Sequence, residues 1–225
     1  MFEGKMKAFT LSYDDGVKQD ERFVELLNKY NLKCTFNLNS GIQSESNKWV
    51  TGNGLDVVRM NIDRLNKLYE GHEIAVHALT HPNLPELTRQ EVEYEIKEDI
   101  KNLTEWFGVR PVGMAYPFGT YSDMVVDVLA ENGIRYARTV EATHSFDVPT
   151  DLLRLPATCH HNDEALFELG EKFVNMKADT PQIFYLWGHT YEFDDNDNWD
   201  MIEDFFKLIS GRDDIFYGTN KEVLL

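Results

Sequence analysis

Short apolar runs alternate with amphipathic stretches along almost all of this 225-residue chain, and few architectures accommodate that alternation. Residues 6–13 set Phe9, Leu11 and Tyr13 against Ala8, Thr10 and Ser12, as a strand does. Phe23, Leu26, Leu27 and Tyr30 then recur at helical spacing. Residues 33–38, 73–77, 111–116, 134–139, 183–187 and 215–217 continue the strand series, with a short candidate at 153–156. Helices are predicted over 61–70, 89–107, 122–132, 163–177 and 199–210. In the second of these, Thr88 and Glu91 have capping-box spacing, and Val92, Ile96, Ile100, Leu103 and Phe107 share one face. Residues 41–60 carry Gly, Ser and Asn without a period and read as a long loop, placed to lie over a site. The strands are too apolar to leave a face in water. The pattern therefore predicts an α/β protein, a mostly parallel sheet covered by helices, either a closed barrel or an open doubly wound sheet. The length suits a single domain over 1–225.

Charge narrows the partners. Against 22 basic residues stand 39 acidic ones, a net charge of −17 that repels phosphate backbones and anionic lipid. Nucleic-acid and membrane-surface roles are thus excluded as expectations, and a neutral or cationic substrate is the easier guest. There is no Gly-x-Gly-x-x-Gly or phosphate-loop pattern. Cys34 and Cys159 form neither a close-spaced metal pair nor a disulfide framework, and read as buried thiols. No run approaches the roughly 18 apolar residues of a membrane span. The first residues lack an apolar leader, so a cytoplasmic location is expected.

The chemistry-bearing residues fall at predicted strand ends, where parallel-sheet enzymes keep their sites. Asp14 and Asp15 close the first strand before Gly16. One acid can bind a metal while the other moves protons, although a solvated Asp-Asp-Gly turn looks the same. His77 and His81 follow another strand. Pro82 keeps His81 out of helical geometry, so the pair is expected on a strand end entering a tight loop. Two imidazoles and the Asp15 carboxylate make a three-point site for zinc or a similar divalent cation, with a position left for water. Two histidines without a metal remain the alternative. His189 also ends a strand and is a candidate proton donor, or else a packing residue. His72 sits at the opposite end and reads as structural. His160 and His161 rank below the others, because sequence neighbours rarely point the same way.

Together these pieces resemble the polysaccharide deacetylase family, metal-dependent carbohydrate esterases that remove acetyl groups from glycans. Tyr13-Asp14-Asp15-Gly16 looks like its first motif, His77-Ala78-Leu79-Thr80-His81 its second, Ala115-Tyr116-Pro117-Phe118-Gly119 its third and Leu186-Trp187-Gly188-His189 its fifth. The resemblance implies a distorted barrel of about seven β/α units. It implies a divalent metal, zinc first, on Asp15, His77 and His81. It makes Asp14 the base and His189 the acid acting on an N-acetylated saccharide. Leu186 would line the acetyl pocket, and the Phe118 backbone N–H would help hold the oxyanion. Ala115 stands where the family has an arginine that tunes the base. Arg138 is the expected replacement on the substrate side of the site, Arg154 the second choice, and a solvated Arg138 the alternative. No clean fourth motif is visible; Glu141 and Asp147 are weak candidates for its acid. Tyr191 and Trp199 could stack on sugar rings or simply fill core. Two other functions stay open: hydrolysis of a cyclic or small acyl amide, and saccharide binding without catalysis.

Overall fold

Lys7–Asp14 (β1) is buried at every position, which places it at the middle of the sheet. In a computed structural model describing residues 2–225, the chain continues through Asp20–Lys29 (α1), Thr35–Leu38 (β2), Lys48–Val50 (β3), Asp56–Val58 (β4) and Ile62–Leu68 (α2). Glu73–Val76 (β5), Arg89–Phe107 (α3), Gly113–Ala115 (β6), Asp123–Glu131 (α4) and Tyr136–Ala142 (β7) follow. The last part is Leu155–Ala157 (β8), Cys159–His160 (β9), Leu166–Asn175 (α5), Gln182–Gly188 (β10), Tyr191–Asp195 (α6), Trp199–Ile209 (α7), Ile215–Tyr217 (β11) and Asn220–Leu224 (α8).

The main sheet is parallel throughout, in the order β8-β7-β6-β5-β2-β1-β10-β9. β11 pairs with Lys7–Phe9, while β2 pairs with Ser12–Asp14 further along the same edge of β1. The two outermost strands, β8 and β9, are successive pieces of one segment. Thr158 between them donates its N–H to Tyr185 O at 2.9 Å, and Ala157 O accepts from Thr143 N at 3.0 Å. One continuous stretch thus joins both edges of a curled sheet, the distorted barrel rather than the open doubly wound sheet.

The period of two along β1 sorts the interior. Phe9, Leu11 and Tyr13 enter the helix-covered core with Phe23, Phe184, Phe205 and Phe206. Ala8 belongs to a smaller cluster with Tyr136, Ile183, Tyr185 and Trp187, and Thr10, Ser12 and Asp14 share its side of the strand. The far end of this interior is plugged by α8. Asn220 accepts from Thr10 Oγ1 at 2.8 Å and donates to Tyr185 Oη at 2.7 Å. A polar interior is stable only when its groups are paired, and Thr10, Asn220 and Tyr185 pair with one another at this end.

Residues 41–60 depart from the expected loop. They contain an antiparallel hairpin, β3–β4, with Trp49 opposite Val57. Three-residue strands are too short to show a period, and the pair stands apart from the main sheet. The α3 capping box forms as its spacing predicted. Among the described residues no helix is long and apolar enough to cross a membrane.

Phe205 on α7 is fully buried, with ring centroids 5.7 Å from Phe184 and 6.3 Å from Phe9. Phe205→Ala is expected to cost about 3–5 kcal/mol in chemical denaturation, the range for an aromatic truncated in a packed core. A loss below about 1 kcal/mol would show that α7 is not locked onto the sheet in this way.

Candidate active site

A cavity of about 580 Å³ opens where β1, β5, β6 and β10 end, and it is lined by Asp14, Asp15, His77, His81 and His189 among others. β1 ends in an Asp14 side chain turned to the interior. Its Oδ2 accepts from Arg138 Nη2 at 2.5 Å and its Oδ1 from Asn37 Nδ2 at 2.7 Å. His77 Nε2 and His189 Nε2 each lie 3.8 Å from the same Oδ2. Burial alone would raise this carboxyl, but the Arg138 guanidinium, then His77 and His189, bring it down to about 2. Arg138 is itself 1% exposed, stacked 4.3 Å over the Trp187 ring and bonded to Ser12 Oγ and Thr139 O. Arg154, the second choice, instead pairs with Asp123 and Asp151 at the surface.

The next residue turns the chain. Asp15 has φ +82° and Gly16 +63°, so the second carboxylate swings away from the first. Arg59 Nη2 donates to Asp15 Oδ1 at 2.6 Å. His77 leaves β5 with Nδ1–H donating to Ala115 O at 2.7 Å, which leaves its Nε2 lone pair free. That Nε2 is buried and meets no hydrogen-bond partner among the described residues. Burial lowers His77 to about 4, against the pull of Asp14. His81 adopts φ +60°, a left-handed backbone that lies outside the α-helix but also outside the extended geometry a following proline favours, and burial lowers its pKa too. Ligand atoms of Asp15, His77 and His81 all lie within 4.8 Å of one another. An orphaned, proton-free imidazole nitrogen beside a carboxylate and a second imidazole is what a divalent cation requires, so these residues fit one.

Two acids on α3 hold this loop from beneath. Asp99 accepts from Ser40 N at 2.8 Å and His77 N at 3.2 Å, and Glu95 accepts from Thr80 N and Oγ1, both at 2.8 Å. Their spacing of four, flanking the apolar stripe of the helix, was the available sequence signal.

His189 has a carboxylate partner that the sequence reading missed. Glu192, three residues on in α6, accepts from His189 Nδ1 at 3.2 Å through Oε1. Its Oε2 lies 3.0 Å from His160 Nε2 and 2.9 Å from His161 Nε2. Three imidazoles therefore converge on one carboxylate, and their approach holds it well below its usual range against burial. His160, His161 and Glu192 have the spacing of metal ligands, but their protons argue otherwise. His160 Nδ1 accepts from Asn162 N at 3.1 Å, so its Nε2 carries the hydrogen and faces Glu192 Oε2 at 3.0 Å. His161 Nε2 and Glu192 Oε2 make no well-aligned hydrogen bond despite their approach, yet neither has another partner. Tyr13 Oη contacts the far nitrogen of His161 at 3.1 Å. A Cβ on Gly188 would fall 2.0 Å from that nitrogen, so only glycine lets the ring lie there. His160 and His161 share a target because β9 ends at His160 and the chain then turns. Burial acts to lower His189, but Glu192 and then Asp14 raise it to about 9.

The remaining sequence candidates are placed as follows. Phe118 lines the cavity at φ +59°, its ring 4.7 Å from His81. Leu186, expected to line the cavity, is fully buried on the helix side of β10; its neighbour Trp187 faces the cavity, because successive strand residues alternate. Tyr191 lines the cavity, whereas Trp199 packs in the core and donates to Asp194. Glu141 and Asp147 are exposed and outside the cavity lining. His72 accepts from Cys34 N at 3.2 Å and plays no part here.

The profile of a family described as polysaccharide deacetylase matches residues 3–137, which include Asp14, Asp15, His77 and His81 and stop one short of Arg138. Chitin deacetylase 1 of Cryptococcus neoformans is 29% identical over 126 residues, 55% of this chain and 24% of that protein. The chain spans between a quarter and about a third, 24% and 35%, of the lengths of the curated relatives it matches. A Mycobacterium smegmatis structure described provisionally as a polysaccharide deacetylase superposes with TM-score 0.71 at 17% identity, over 98% of this chain and 90% of that one. A family 4 carbohydrate esterase from Streptomyces lividans, in complex with acetate, gives TM-score 0.60 at 15% identity, over 96% and 93%. At such identities the likeness is one of fold.

Replacing Glu192 by Gln removes the largest influence that raises His189. An NMR titration of the His189 imidazole is expected to move its midpoint down from about 9 by at least about one unit. A midpoint that stays put in a folded variant would mean that Glu192 does not hold the proton on this ring.

Proposed function

The chain belongs to the polysaccharide deacetylase family, and we propose that it is a metal-dependent hydrolase releasing acetate from an N-acetylated saccharide. The observation that carries the reading is the position of Asp14, ionised and 3.8 Å from both His77 on the metal-ligand side and His189 on the other. A base and an acid on opposite sides of one reacting carbon are what amide hydrolysis needs.

Asp15, His77 and His81 would hold the cation. When bound, it supplies Lewis acidity that polarises the acyl carbonyl and acidifies water. Asp14 takes the proton of the attacking water, and Arg138 keeps it ionised until then. Arg138 therefore acts through Asp14, with Trp187 and Ser12 fixing its plane. His189, protonated at neutral pH and bonded to Glu192, gives its proton to the departing nitrogen, which is a poor leaving group without it. Water and amide thus become carboxylic acid and amine with the protons balanced. The Phe118 backbone N–H is the chain's own candidate donor to the oxyanion. The exposed Phe118 ring and Tyr191 offer faces on which a sugar can rest.

Acetate release from N-acetylated oligosaccharides is expected to vanish with chelator and return with added zinc. Asp14→Asn and His189→Ala are each expected to lower kcat about 10²–10⁴-fold while circular dichroism stays native. His77→Ala is expected to abolish stoichiometric zinc uptake in calorimetry. Release that survives chelation, or zinc uptake unaffected by His77→Ala, refutes the assignment.

A further inference from the structure

The β3–β4 hairpin belongs to no layer of the main sheet and forms one wall of the cavity. Its tip is latched to α6. Thr51 Oγ1 donates to Asp195 Oδ1 at 2.5 Å and Asn53 Nδ2 to Asp195 Oδ2 at 3.2 Å. Its base is tied down by Gln43 Nε2, which donates to Gly16 O at 2.6 Å and Met60 O at 3.0 Å. A wall pinned at both ends presents its side chains in fixed places.

Those side chains are cationic and aromatic. Arg59 lines the cavity at 7% exposure, stacked 4.7 Å from the Trp49 ring centre. Its Nη2 serves Asp15 and Asn39 Oδ1, but its Nε is buried without a partner among the described residues. Trp49 in turn meets Tyr191 edge-on at 5.4 Å. Lys48 stands at the rim, exposed, with no ion-pair partner among the described residues. Charge in the cavity can be counted by pairs. Asp14 has Arg138 and Asp15 has Arg59, so each lining carboxylate is already matched by a guanidinium. Lys48 is left over, and any bound cation adds to it. The cavity is therefore electropositive inside a protein of net charge −17. A neutral glycan offers Lys48 only hydroxyl and carbonyl acceptors, whereas an anionic oxygen offers it a charge-assisted bond, roughly twice as strong.

We propose that the acetylated saccharide accepted here carries an anionic group, carboxylate or phosphate, seated against Arg59 and Lys48 beside Trp49. This rests on the deacetylase reading for the reaction, but the preference itself is a matter of binding. It reverses the expectation of a neutral or cationic substrate drawn from overall charge.

The test compares three probes with the zinc-loaded protein: N,N′-diacetylchitobiose, which is neutral, the hyaluronan disaccharide, which has a carboxylate, and N-acetylglucosamine 1-phosphate. Calorimetric affinity and acetate release are both read. At least one anionic probe is expected to bind about tenfold or more tighter than the neutral one, with an advantage that shrinks as salt rises. Whichever anion wins identifies the source of the charge. Lys48→Ala is expected to reduce the anionic-to-neutral affinity ratio by about two- to fivefold, and Lys48→Glu by more. Neutral binding as tight as anionic, no binding of either anion, or a ratio untouched by Lys48→Glu overturns the proposal. Acetate release from none of the probes counts against the deacetylase reading, while the affinity ratio still decides this one.

Discussion

The buried ion pair between Asp14 and Arg138 organises the mouth of the sheet. Both side chains are almost fully buried, and either charge left unpaired in such a place costs several kcal/mol. They come from strands that are not neighbours, with β2, β5 and β6 between them. Joining them fixes the end of β1 relative to the end of β7 across the interior. Every further group on that plane is set by the pair: Ser12 and Trp187 against the guanidinium, Asn37 against the carboxylate, His77 and His189 around its second oxygen. A carboxyl at about 2 is a weak base, so the pair trades basicity for certainty of charge. Its linkage to folding has a definite sign. The native value lies below the ordinary value near 4, so the stability it contributes is complete above that pH and fades as pH falls towards 2.

The parts of this arrangement visible in the sequence are those that obey a period. A period of two put Asp14 at a strand end on the interior side, and apolar runs put His77 and His189 at the ends of two others. Arg138 is the expected replacement for the missing third-motif arginine because it lies towards the end of a predicted strand; the register that sets it beside Ala115 is visible only in the structure. Ala115 and Arg138 are paired positions on β6 and β7. The cation has moved one strand over, and the vacated position contributes its carbonyl to His77 instead. The same period explains the misplacement of Leu186. Its neighbour Trp187 lies on the cavity side, so Leu186 could not.

What the sequence concealed depends on turns. Glu192 reaches His189 only because the chain coils into α6 directly after β10, and five residues give no periodic signal. His160 and His161 share one carboxylate because a strand stops between them. Glu95 and Asp99 appear as ordinary polar positions until α3 is laid beneath the His77–His81 loop. The hairpin of residues 48–58 has six strand residues, too few to announce themselves, yet it carries Arg59 and Trp49 to the cavity. These contacts are tertiary in origin, and local pattern has no access to them.

Overall charge does not describe the cavity, for the same reason. A net charge of −17 describes the outer surface, where acidic side chains are solvated and screened over about 10 Å at ordinary ionic strength. Within the cavity the field is set by the few groups that face it, and these are matched pairs plus one spare lysine. The acidic exterior and the cationic mouth are not in conflict. Over longer distances the exterior slows the approach of an anion, and at contact the mouth holds it. A guest that tolerates the first and needs the second must combine a largely uncharged body, able to lie on aromatic faces, with a single localised negative group. That division of labour follows from which charges the fold turns inward.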